Sequence, residues 1–379
     1  MYIINGEHNF AKIMLAEGQY LDEATTSQIY AFLGNPAMKG KPIVIMPDAH
    51  KGNGSCIGFT MPLNEHVIPN VVGVDIGCGI DGYNLGKIDL SEKDLEDFYV
   101  FIKTRIPSGF SIRENMVDIP KGLQNNLLNL SVKMELDANR VFNSIGTLGG
   151  GNHFIELNKD PDENIWLTIH SGSRNFGLQV CNYHQRKAKA LMNEVFIGDA
   201  YRGAEFLPLD KGGKEYLADM KVAQDYAQEN RNVMAEEMID GFFALASTGE
   251  EIKTVHNYIN FADKIVRKGA ISAHLKEKVL IPLNMRDGVI VGSGKGNKDW
   301  NFSAPHGAGR VLSRSAAKKT IKLEDVKEQM KGIFTKSLSK NTIDEAPDTY
   351  KKADSIINAI GDSVHIDFVM KPIFNFKAE

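Results

Sequence analysis

An α+β fold is what the chain predicts, on three observations. Apolar runs broken by Gly, Pro and Asp fill residues 41–90, and strand-like runs with Gly loops return over 146–177, over 253–315 and at the end of the chain. Helical spacing dominates the intervening stretches 91–145 and 178–247. Glycine is frequent, 35 of 379 residues, and sits in short blocks rather than repeats, as where backbone turns sharply or approaches a ligand.

The elements follow in order. YIING reads as a short strand and EATTSQIYAFLG as a helix. KPIVIMPDAHKGNG, SCIGFTMPL and VIPNVVGVDIGCGIDGYNL read as strands joined by ligand-facing loops. Residues 91–145 read as helices interrupted by RIPSGFS and VDIPKGL. GTLGGGNHFIEL and NIWLTIHSGSRNFG bring strands back. In the next helical region Tyr216, Met220, Ala223 and Ala227 keep the spacing of a core-facing stripe. KVLIPLNM and GVIVGSG read as strands, LEDVKEQMKGIF as a helix and VHIDFVMKPIFNF as a closing strand. With no linker or repeat, residues 1–379 are expected to form one domain carrying a helical insertion at about 178–247.

Composition is that of a soluble globular chain, 42% hydrophobic and 24% charged. A formal charge of −4 excludes a globally basic nucleic-acid binder but leaves room for a local basic cleft. Three Cys make no disulfide framework and suit a reducing compartment. MYIINGEHNF lacks the regions of a signal peptide, and no apolar run reaches the ~20 residues of a membrane span. The expectation is a cytoplasmic protein without a membrane partner.

Histidine carries the chemical signal. His50, His153, His170, His256 and His306 all lie in Gly-rich or small-residue contexts near strand ends. One such His is more often a hydrogen-bonded structural residue; five together are hard to dismiss. VDIGCGI adds Asp75 and Cys78. An oxygen, a thiolate and several imidazoles do not make a closed structural zinc site, and suit one or two divalent ions with open positions. A thiolate able to bridge two metals would explain one Cys among many His. Asp48 reads either as a carboxylate orienting a ligand His or as an Asx turn. Cys56 and Cys181 read as buried small groups.

Three stretches suit phosphate. GGGNH presents backbone N–H groups, HSGSR adds hydroxyls and Arg174, and HGAGRVLSR sets Arg310 and Arg314 four apart, on one face if helical. GSGKGNK lacks the spacing of a Walker loop. The residues alone point to a metalloenzyme acting on a phosphorylated substrate, and leave hydrolysis and nucleotidyl transfer both open.

MPDAHKGNG, VGVDIGCGI, LGGGNHFIEL, HSGSRNFG, HNY and HGAGRVLSR stand in the order found in the RtcB family of GTP- and manganese-dependent RNA ligases, which the chain resembles from about residue 41 to its end. The resemblance implies an RtcB-like fold and an RNA ligase that joins a 3′-phosphate or 2′,3′-cyclic phosphate end to a 5′-hydroxyl. It implies two Mn²⁺ ions, one on Asp75, Cys78 and His153, the other on Cys78, His170 and His256. It makes His306 the nucleophile that takes GMP from GTP, with Gly307, Ala308 and Gly309 beside the nucleotide. Asn152, Phe154 and Glu156 resemble GTP contacts, Glu156 at the guanine edge; Ser293, Tyr350 and Lys377 match further nucleotide contacts. Arg174, Arg310 and Arg314 would hold phosphates of nucleotide or RNA. LNMRDGVIVGSGKGNKDWN and the ending KPIFNFKAE depart from the family pattern, as in a divergent branch with a specialised RNA substrate in splicing or repair. The resemblance leaves room for an accessory activator and is silent on oligomeric state. The competing reading is a metal-dependent phosphoesterase acting on RNA ends without nucleotidyl transfer; an RNA-binding non-enzyme ranks below both.

Overall fold

A computed structural model describes residues 1–52, 54–194 and 201–378. Asn53 of the MPDAHKGNG motif and residues 195–200 of the helical region therefore lie outside the described residues. Two antiparallel-rich sheets carry the fold, with helices packed outside them, the layering of an α+β protein. The first sheet has six strands in the order Tyr2–Asn5, Phe10–Ile13, Ile43–His50, Ile57–Pro62, Ile265–Lys268 and Asn257–Asn260, and one of its pairings is parallel. The second has seven, all antiparallel: Glu251–Val255, Gly79–Gly86, Ile165–Ser171, Phe154–Lys159, Val364–Phe376, Gly288–Gly294 and Lys278–Asn284.

The seven-stranded sheet curls until its edge strands meet, with Ile252 and Leu280 sharing a buried cluster. Its central strands are buried on both faces and read as near-continuous apolar runs, as Ile165–Ser171 shows. One residue, His256, separates the strand Glu251–Val255 from Asn257–Asn260. The chain thus crosses from one sheet to the other at that histidine.

Helices fall where spacing and caps put them. Glu92–Arg105 starts at a capping box, in which the Ser91 side chain accepts from the Asp94 N–H and Asp94 accepts in return from the Ser91 N–H. Its acidic first turn and basic last turn complement the helix dipole. The expected interruptions, RIPSGFS and VDIPKGL, hold only in part. Residues 106–111 and 117–120 are non-helical, but Arg105 ends the preceding helix, and residues 121–123 already begin the next one, Lys121–Leu128, behind Pro120.

Arg174–Glu194 and Lys214–Gly241 form the long helical region. The second of these helices joins two cores. Tyr216, Met220, Ala223 and Tyr226 pack in the cluster under the six-stranded sheet; Met234, Ala235, Met238 and Ile239 pack in the one beside the seven-stranded sheet. Each of the buried Met and Ile side chains among them contributes about 1.5–3 kcal/mol. Among the described residues no helix is long and apolar enough to cross a membrane.

One condition set by the sequence is not met. Arg310 and Arg314 do not share a helix. Ser313 caps a helix that begins only at Arg314, while Arg310 pairs as an isolated bridge with Tyr350. A Ser side chain bound to the Ala316 N–H is a stronger start signal than the four-residue spacing of the arginines.

Candidate functional site

Sheet register explains why residues far apart in sequence meet. Val255 pairs with Gly79, and Gly79 with Ser171. In the next row Ile80 faces His170, and His170 faces Phe154. Cys78, His153 and His256 each sit one residue beyond these pairs, and the His256 N–H donates to the Cys78 carbonyl at 2.9 Å.

Five side chains converge there. Cys78 Sγ lies 3.3 Å from His170 Nε2 and 3.5 Å from His153 Nε2. His170 and His256 bring their Nε2 atoms to 3.4 Å, and His153 Nε2 is 3.1 Å from Asp75 Oδ2. Two triads result, Asp75–Cys78–His153 and Cys78–His170–His256; within each, the ligand atoms lie within 4.8 Å of one another, and Cys78 belongs to both.

Protons can be assigned at two of the imidazoles. His153 Nδ1 donates to the Leu148 carbonyl at 2.9 Å and His170 Nδ1 to the Asn152 carbonyl at 3.1 Å. A carbonyl only accepts, so Nδ1 of each ring carries a proton and Nε2 faces the cluster. His170 Nε2 keeps its lone pair, while His153 Nε2 shares a proton with Asp75 that a bound cation would displace. Burial, then His153, hold His170 well below the usual imidazole range; burial, then His306, do the same to His256. Burial and the Asp75 charge push the Cys78 thiol up. Burial alone would raise Asp75, but its hydrogen bond to His153 holds the carboxyl far below its ordinary value. The imidazoles, the thiol and the carboxylate form a donor set that a divalent cation fits, since the cation drives the thiol to thiolate and displaces the proton between His153 and Asp75.

The bare backbone has a reason. Gly77 has φ +72°, and a Cβ there would lie 2.9 Å from Gln224 Cα and Ala227 Cβ of the long helix. A Cβ at Gly172 would fall 2.1 Å from Asp75 Oδ1. Either side chain would push the ligand loop off its support.

That support also includes an ion pair absent from the sequence reading. Asp81 and Arg231 are fully buried, with Arg231 Nε donating to Asp81 Oδ1 at 2.9 Å. Arg231 Nη1 donates to the carbonyls of Gly77 and Ser171, both at 2.9 Å, so one guanidinium ties the Asp75–Cys78 loop to the His170 strand. The available signal was an Arg within the stretch NRNVMAEEM, on the face that also carries Ala227, Met234 and Met238.

His306 stands beside the cluster, its ring centroid 4.8 Å from that of His256. Its Nδ1 donates to Asp48 Oδ2 at 2.6 Å, and its backbone N–H reaches the same oxygen at 3.2 Å. The fully buried Asp48 therefore orients His306, rather than a ligand His, and leaves Nε2 with its lone pair. His50 Nδ1 donates to the Asp48 carbonyl, and burial pulls its ring down to about 4.

A second constellation centres on Glu345, which sequence reasoning missed. Arg310 and Arg314 reach its Oε1 at 3.2 and 2.6 Å, and Lys377 its Oε2 at 3.5 Å. Tyr350 donates its hydroxyl to Oε2 at 2.5 Å. Burial would raise this carboxyl, but Lys377, Arg314 and Arg310 hold it below its usual value. Lys377 also lies over the Phe154 ring at 5.5 Å and donates to the Asn152 carbonyl at 3.4 Å, joining this group to the GNHFIE strand. Glu156 is buried, accepts from Asn375 Nδ2 at 2.7 Å, and is raised by burial to about 7.

Gly307, Ala308 and Gly309 lead from His306 to Arg310. Arg174 spends its guanidinium on Thr147 Oγ1 at 3.0 Å and the Gly109 carbonyl at 2.7 Å. Ser293 lies in a strand between Lys278 and His365, with no hydrogen bond to the other site residues among those described.

The family described as tRNA-splicing ligase RtcB matches residues 33–140 and 124–378. The RNA-splicing ligase RtcB of Escherichia coli K12 is 33% identical over 369 residues, covering 88% of this chain and 89% of that protein. The tRNA-splicing ligases RtcB of Archaeoglobus fulgidus and Nanoarchaeum equitans are 26% and 28% identical, each across 84% of this chain and 83% of their own length.

Proposed function

From the premise that the chain belongs to the RtcB family, we propose that it is a GTP-dependent RNA ligase that joins 3′-phosphate or 2′,3′-cyclic phosphate ends to 5′-hydroxyl ends. The observation that carries this reading is His306: its proton is held on Nδ1 by Asp48 at 2.6 Å, and its ring lies against that of His256. Hydrolysis at the metal cluster alone would not need a second, carboxylate-oriented imidazole there.

Asp75, Cys78 and His153 would hold one Mn²⁺, and Cys78, His170 and His256 a second. When bound, such ions supply Lewis-acid neutralisation of phosphoryl oxygens. The remaining work falls to the chain. His306 Nε2 attacks the α-phosphorus of GTP; an N–P bond forms, and the P–O bond to pyrophosphate breaks. Asp48 balances the positive charge that develops on the imidazole. An oxygen of the RNA 3′-phosphate then attacks that phosphorus, the N–P bond breaks, and RNA–PP–G leaves His306 with its lone pair restored. The RNA 5′-hydroxyl attacks the RNA phosphorus of this end, loses its proton, and GMP departs.

Glu156 would accept from the guanine edge. Asn152, Phe154, Gly307, Ala308, Gly309, Tyr350 and Lys377 would line the nucleotide site, with Ser293 at its periphery. Arg174, Arg310 and Arg314 would stand near phosphates. Among the described residues no helix is suited to span a membrane, and a soluble RNA in the cytoplasm is the proposed partner.

Incubation with Mn²⁺ and GTP labelled at the α-phosphate should give acid-labile label on the protein, lost in His306→Ala. No label on metal-loaded protein would sink the reading. GTP-independent phosphatase turnover surviving in His306→Ala would favour the phosphoesterase instead.

A further inference from the structure

We propose that Phe110 is a stacking platform for an unpaired nucleotide next to the reacting RNA end; the inference rests on the RNA ligase reading above. Phe110 is 94% exposed, beyond every other large apolar side chain among the described residues. A single exposed Phe is unremarkable on a loose loop. Here the loop is tightly held. The Leu148 N–H donates to the Pro107 carbonyl and the Gly109 N–H to the Gly149 carbonyl, both at 2.9 Å. The Gly109 carbonyl accepts from Arg174 Nη2 at 2.7 Å. Beyond Phe110, the Arg113 N–H reaches the Asn143 carbonyl at 2.9 Å, and its guanidinium binds the Gly146 carbonyl at 2.8 Å.

The segment that holds this loop runs directly into the site. A Cβ built at Gly149 would lie 2.7 Å from Nδ1 of His153, and one at Gly150 would lie 3.8 Å from Gly109 Cα. Phe110 follows the residue making that contact. Other exposed groups belong to the same centre: Val74, 41% exposed, precedes Asp75, and Val311, 58% exposed, follows Arg310. Arg314, with a side chain 47% exposed, comes within 3.7 Å of where a Gly151 Cβ would be.

A fixed, exposed aromatic face is one way single-stranded nucleic acid is held, the ring taking a base. A rigid loop loses little entropy when it does so. Stacking also tolerates any base, so the platform selects an unpaired end rather than a sequence.

The test compares wild-type, Phe110→Leu and Phe110→Trp proteins, each loaded with Mn²⁺. The probe is a short 3′-phosphorylated oligoribonucleotide carrying 2-aminopurine at its last base. Wild-type and Phe110→Trp proteins should quench the fluorophore and bind tightly. Phe110→Leu should bind on the order of tenfold to a hundredfold more weakly, without the quench. Equal binding and quenching by Phe110→Leu would overturn the proposal and leave Phe110 as a surface for a protein partner. Labelling by GTP in the same preparations separates the two readings. Wild type that labels, with Phe110→Leu unaltered on RNA, refutes only the platform. Wild type that fails to label refutes the ligase, while the oligonucleotide comparison still decides Phe110.

Discussion

With Nδ1 bound to Asp48, Nε2 is the ring nitrogen of His306 left for chemistry, and everything proposed for it depends on that proton. Asp48→Asn removes the charge that stabilises the imidazolium and disturbs the tautomer. Labelling by α-labelled GTP should fall by roughly two to four orders of magnitude, with metal content preserved. Glu156 yields a pH prediction. Burial raises its carboxyl to about 7, and only the ionised form can accept through both oxygens from the paired N–H donors of guanine. Affinity for GTP should therefore rise with pH through about 7 and fall about tenfold per unit below it. Calorimetric titration should show that slope in the wild type and a flat profile in Glu156→Gln. A slope retained in Glu156→Gln would assign the titration elsewhere.

At the scale of elements, the helix Lys214–Gly241 positions the centre through Arg231. Replacing Arg231 by Met leaves Asp81 buried without its partner and frees the carbonyls of Gly77 and Ser171. A loss of about 3–5 kcal/mol in denaturant unfolding is expected, together with weaker metal retention. Loss of stability with full metal stoichiometry would show that the pair serves the core alone. The helix was legible as an amphipathic stripe from Tyr216, Met220, Ala223 and Ala227, because apolar spacing is local. Arg231 was not, because its value lies in carbonyls from two distant strands. Glu345 escaped for the same reason: DEAPDTYKK carries no spacing signal, and only the folded chain brings Arg310, Arg314, Tyr350 and Lys377 to one carboxylate. The helix on which the two arginines would have shared a face does not include Arg310, because a Ser cap decided the helix start.

For the molecule as a whole, strand positions were readable from apolar runs, but sheet order was not, since register is set by partners hundreds of residues away. The motif histidines in Gly-rich settings could be singled out; that His50 would stand apart from both triads could not. The sharing of Cys78 makes a global prediction. If the two proposed ions are bound, Cys78→Ala should lose both together in elemental analysis, whereas Asp75→Ala should weaken mainly one. Because a Cys/His donor set binds Zn²⁺ more tightly than Mn²⁺, protein loaded with zinc should bind metal fully yet label poorly with GTP.

The single-residue passage at His256 carries a last consequence. One neighbour of that residue hydrogen-bonds in the seven-stranded sheet and the other in the six-stranded sheet, while its two fellow donors, Cys78 and His170, belong to the seven-stranded side. An ion held by all three acts as a rivet between two halves of the molecule. Loading should then do more than raise the melting temperature by mass action. It should merge the opening of the two sheets into one event, so hydrogen exchange in Ile43–His50 and Ile165–Ser171 converges when metal is bound and separates when it is stripped.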